Sequence, residues 1–215
     1  MAGLARPNPA ARVTAAPGGE AGVAAATRRY LMYVVAPGWL IPGLLDYRMH
    51  RRTGIEHAGG LRESVIHSLM MTEVGVPVWL ALTLEINPGL LALMGAVAVA
   101  HDATALWDVR TAVDAGREVT PAEQHLHSFL ESLPFTALAA LTCLHWDQLR
   151  QVPGRWRDPG LWRLRPKRPG LPVPYLVFMG AAVAAFGVVP YAEELTRCWR
   201  SRREDSTTDV PSNRR

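Results

Sequence analysis

The sequence predicts an all-α fold, a polytopic membrane helix bundle of about five transmembrane helices, four of them meeting in a metal site at one membrane face. Three observations predict it. Apolar residues gather in blocks such as VPVWLALTL, LLALMGAVAVA and YLVFMGAAVAAFGVV, while nearly all of the 23 Lys and Arg lie between or outside them. Pro, Gly and charged residues punctuate the blocks where helices would end. His and carboxylate side chains recur at the block ends with helical spacing. Only 49% of the residues are hydrophobic and the mean hydropathy is barely above zero, so the distribution, and not the average, argues for lipid.

Residues 1–27 are rich in Ala, Pro, Gly and Arg and contain no apolar run, which predicts a disordered arm and not a signal peptide. Residues 28–200 form one transmembrane helical domain. Its first span, 30–49, holds Pro37 and Pro42 and should be kinked. The second and third, 62–85 and 89–108, are joined by the short EINPGL and must form an antiparallel hairpin. The fourth covers 126–145. A basic segment, about 146–170, carries Trp146, Trp156 and Trp162 among its arginines, as suits an interfacial strip on anionic lipid. The fifth span is 171–192, and the polar tail 201–215 reads as disordered. Cys143 and Cys198 make neither a disulfide framework nor a paired-thiolate zinc motif.

If the spans alternate in direction, the end of the first, the start of the second, the end of the third and the start of the fourth share one face. Each of these ends carries metal-ligand chemistry: Asp46 and His50; Glu63 and His67; His101 and Asp108; Glu123, His127 and Glu131 in EQHLHSFLE. Residues four apart lie about 40° apart around a helix and those seven apart about 20°, so each set projects from one side. Carboxylates neutralise and bridge ions, imidazoles suit borderline metals, and helices fix the angles. His57, Glu73, Asp102 and His125 are additional or outer-sphere candidates. Glu73 lies about 9 Å deeper than His67, where a supporting or proton-relay role is expected. Tyr47, Thr104, Trp107 and Ser128 are candidates for the wall. Arg48, Arg51, Arg52, Arg62, Arg110 and Arg117 ring the same face, and His145 alone among the histidines falls at the other. Taken singly, each His is an ordinary interfacial residue and each Glu a helix-dipole partner; four helices at once call for a common cause.

The pattern over residues 46–131 resembles the membrane-bound histidine-box enzymes, the fatty acid desaturases, fatty acid hydroxylases and alkane hydroxylases. Their boxes read His-x-x-x-His and His-x-x-His-His, and carboxylate-His pairs stand in their place here. The stretch REVTPAEQHLHSFLE also resembles a bacterial inner-membrane family that carries no assigned activity. The resemblance implies a di-iron centre (two Fe ions) at the cytoplasmic ends of the helices, in the bacterial inner membrane, inserting oxygen into or removing hydrogen from a lipid or other hydrophobic substrate. Electrons must then come from an external donor, since the chain has no nucleotide fingerprint or Cys cluster. Two alternatives stay open: a zinc-dependent lipid amide or ester hydrolase using Zn in place of iron, and a metal or proton transporter or bis-His haem electron carrier. A net charge of +4 is accounted for by membrane contact, and no nucleic-acid motif occurs.

Overall fold

The computed structural model describes residues 17–58 and 60–208. Among them, seven helices longer than two turns account for the fold, and no strand forms. They are α1 (Pro17–Tyr30), α2 (Leu40–Thr53), α3 (Gly60–Thr83), α4 (Pro88–Asp114), α5 (Pro121–Leu144), α6 (Val173–Val183) and α7 (Val189–Thr208).

Two of the joins are π turns, Leu31–Val35 between α1 and α2 and Ala184–Val188 between α6 and α7. Each ends two residues before a proline, Pro37 or Pro190. Proline has no N–H to give to the preceding turn, and the backbone widens ahead of it. Ala36 N–H accordingly bonds Leu31 O and Val189 N–H bonds Ala184 O. The expected kink at Pro37 is thus a local widening, and the helix runs on from α1 to α2. Helix α1 also begins at Pro17, inside the stretch read from sequence as a disordered arm; residues 1–16 lie outside the described residues. The polar tail is likewise helical as far as Thr208, with 209–215 outside.

Helices α3 and α4 form the predicted hairpin, opened by Asn87, whose side chain accepts the Leu90 N–H at 2.8 Å. Helix α7 packs along α3, and α2 packs against α5. Between α2, α3 and α5 lies a core of Trp39, Leu40, Val74 and Leu130. The basic segment folds back over the α3–α4 turn: Glu85 N–H donates to Arg165 O at 2.9 Å and Lys167 N–H to Thr83 O at 2.8 Å. Gly89 makes this possible, because a Cβ there would stand 2.7 Å from Trp162 O. Trp146, Trp156 and Trp162 remain exposed on this end of the molecule, as an interfacial strip requires.

Gly60–Thr83, Pro88–Asp114 and Val173–Thr207 are long and apolar enough to cross a membrane. Their outward residues, among them Val76, Trp79, Val99, Val177 and Phe186, are exposed apolar side chains of the kind lipid covers, consistent with an integral membrane protein. Three spans meet that mark, where five were expected. The first and fourth expected spans are helical but spend their apolar length on the site: α2 carries Asp46, Arg48 and His50, and α5 carries Glu123, His125, His127 and Glu131.

Candidate metal centre

The ends of α2, α3, α4 and α5 named by the sequence do converge, and a fifth helix joins them. His50 on α2 and His67 on α3 stack with ring centroids 4.4 Å apart and planes 8° apart. Both donate from Nδ1 to one carboxylate, Glu194 of α7, at 3.1 and 3.0 Å. A carboxylate only accepts, so the partner fixes the proton on Nδ1 and leaves a lone pair on each Nε2. His101 on α4 is held in the same way, Nδ1 lying 3.3 Å from Glu73, while Thr104 donates to the other oxygen of Glu73 at 3.0 Å. Glu73 therefore orients a histidine from below the site. His127 on α5 donates to Asp46 at 3.0 Å, and Tyr191 on α7 also reaches Asp46, at 3.3 Å.

Six buried atoms aimed into this region have no hydrogen-bond partner: Nε2 of His50, His67 and His101, Oδ1 of Asp108, and Oε2 of Glu63 and Glu123. They are nonetheless near other donor atoms. His50 Nε2 is 3.5 Å from Asp46 and 3.6 Å from Glu123, and His67 Nε2 is 3.1 Å from Asp108 without the angle of a hydrogen bond. Metal–ligand bonds near 2.0–2.2 Å place neighbouring ligand atoms roughly 3 to 3.5 Å apart, which is this spacing. Ligand atoms of Asp46, His50, Glu123 and His127 lie within 4.8 Å of one another, as do those of His50, Glu63 and His67. A chamber of about 30 Å³ opens beside them, lined by His67, His101, Asp108, His127, Glu131 and Tyr191.

The charge balance is severe. Asp46, Glu63, Asp108, Glu123 and Glu194 are all fully or almost fully buried. Against these five carboxylates stands one guanidinium, Arg117, which donates to Glu123 at 2.6 Å and to Glu63 at 2.5 Å. Burial pulls the Arg117 pKa down, but the Glu63 and Glu123 charges outweigh it and hold the group above its ordinary value. Uncompensated buried carboxylates cost several kcal/mol each. Imidazolium ions would supply positive charge, yet an N–H at Nε2 of His50 or His67 would meet the neighbouring carboxylates without the geometry of a hydrogen bond. Two divalent ions and Arg117 would match the five carboxylates and use those lone pairs.

Of the residues the sequence names, the structure brings together Asp46, His50, Glu63, His67, His101, Asp108, Glu123 and His127, with Glu131 half-buried at the chamber wall. His57, Asp102 and His125 are exposed and do not reach the site. His125 instead sets its ring edge-on to Phe129. Of the expected wall, Thr104 supports Glu73, Tyr47 donates to Glu193 at 2.9 Å, and Trp107 and Ser128 face outward. Glu194 and Tyr191 were missed. The signal is present: alternation of direction returns the fifth span to the metal face, where Tyr191 lies at its end and Glu194 two residues past its expected bound at 192.

Comparison with known protein families, curated proteins and solved structures returns no match.

Proposed function

We propose that the protein is an integral membrane metalloenzyme, a non-haem di-iron oxidoreductase of the hydroxylase or desaturase kind that acts on a lipid or similar hydrophobic substrate. The observation that carries the reading is the set of six buried, unpartnered ligand atoms, with Nδ1 of three imidazoles already turned to carboxylates. This mixed set of imidazole and carboxylate donors is that of non-haem iron and of zinc, and its number favours two ions. When bound, a two-iron centre supplies oxygen activation and accepts electrons from an external donor. The chain's own part is to hold and shield. Glu194 and Glu73 fix three imidazoles, Arg117 offsets the excess carboxylate charge, and Trp39, Met70, Met71 and Leu130 wall the chamber with apolar surface. The proposed orientation has the metal face in the cytoplasm of a bacterial inner membrane, with Arg197, Arg200, Arg202 and Arg203 on α7 added to its basic ring.

His50, Glu63 and His67 alone form the two-His, one-Glu donor set of a single-zinc hydrolase, which keeps lipid amide or ester cleavage as the second reading. The test is to reconstitute iron-loaded protein in lipid nanodiscs, supply a chemical reductant and dioxygen, and follow the lipids by mass spectrometry. Gain of oxygen or loss of hydrogen in an acyl chain is expected. Unaltered lipids beside a fully loaded centre overturn the oxidoreductase, and cleaved ester or amide bonds favour the hydrolase.

A further inference from the structure

A second, larger cavity lies away from the metal centre. It encloses about 810 Å³, within the range of small-molecule sites. On α3 its lining runs from Val74 to Leu82, about 12 Å along the axis, and on to Glu85 beyond the helix end. Its body is apolar, built from residues such as Val35, Leu40, Val78, Met94, Leu133 and Met179. Trp39 lines both this cavity and the metal-side chamber, so the inner end of the cavity abuts the centre.

The outer end is different. Arg28 from α1 and Lys167 and Arg168 from the basic segment stand there against a single carboxylate, Glu85. Lys167 is half-buried and spends one of its three donors on Ala81 O, at 2.7 Å. Burial holds its pKa below the ordinary lysine value and no carboxylate raises it. A half-buried ammonium beside an apolar cavity, with donors to spare, is an anion site that continues into an alkyl site.

We infer that this cavity binds an amphiphile of one aliphatic chain and one anionic head, the head at Lys167, Arg168 and Arg28 and the chain end against Trp39. The inference rests on the proposed oxidoreductase for its meaning, since it makes the occupant the substrate and presents the end of the chain farthest from the head to the metal side. Binding itself does not depend on the metal. Carboxylate and phosphate heads share the chemistry, and the two are separated by the probes.

The experiment measures binding to full-length protein as purified in detergent, with palmitate, palmitoyl lysophosphatidate and uncharged cetyl alcohol as ligands. One or both anions should bind at least about ten-fold more tightly than the alcohol, the difference of a charge-assisted contact. The tighter anion names the head. Lys167→Ala with Arg168→Ala should remove that advantage and leave alcohol binding and metal content unchanged. Because loss of Lys167 also breaks its bond to Ala81, Ala137→Phe serves as the second variant: it fills the cavity and should abolish binding of all three probes with metal content intact. Equal affinity for alcohol and anions, or undiminished binding in Ala137→Phe, overturns the inference. Tight anion binding by a protein that retains no iron leaves the inference standing and removes the proposed function.

Discussion

Glu194 holds the site together. It lies on a helix that contributes no imidazole, yet its two oxygens fix His50 and His67 in parallel, 4.4 Å apart, with both Nε2 atoms turned inward. Replacing it by Gln keeps the volume and removes the charge, and metal affinity measured by chelator competition should fall about 10–100-fold with helical content unchanged. Asp102→Asn and His125→Ala, both at exposed positions, should leave retention at the wild-type level. The contrast explains what was legible in the sequence. A four-residue spacing states that two side chains share a helix face, which was enough for Asp46 and His50 or Glu63 and His67. His125, two residues from His127 and so far round the helix, was recognisably the weaker member of its stretch. Glu194 has only Tyr191, three residues before it, as a companion on its own helix, and the packing of α7 on α3 and α2 brings both in.

At the scale of elements, the α3–α4 hairpin and the basic segment form one unit. Asn87 caps α4 and also donates to Arg163 O at 2.8 Å, and Gly89 admits the Trp162 backbone. Gly89→Ala sets a methyl against backbone that cannot yield as a side chain would, so it should cost about 1–3 kcal/mol and lower the melting midpoint in detergent. Gly95→Ala, whose nearest neighbour would be a Leu138 methyl at 4.0 Å, should not. The hairpin was readable from a short uncharged connection between two apolar blocks. The π turns were not, since proline announces a break in helical bonding without stating whether the chain bends, stops or widens. The expected bound of the fifth span, residue 192, likewise falls short, since the helix continues to Thr208.

For the whole molecule, the ruling fact is polarity along the bundle axis. One end concentrates five buried carboxylates, three held imidazoles and a single guanidinium; the other holds a large apolar cavity under a cationic mouth. Alternation of helix direction disclosed the first end from sequence, because it depends only on the order of the blocks. The cavity has no sequence signature, since its apolar lining residues read like any lipid-facing or core residue until the helices are assembled. With the charge imbalance, the proposed ions would be part of the fold: treatment with a chelator should lower the melting midpoint, and re-adding ferrous iron should restore it. The most direct measurement is the metal content of protein purified in detergent, with His67→Ala beside it. The account predicts about two iron atoms per chain, as in di-iron helix bundles, and their loss in the variant. A wild-type protein with no bound transition metal, or iron retained in full by His67→Ala, would contradict it.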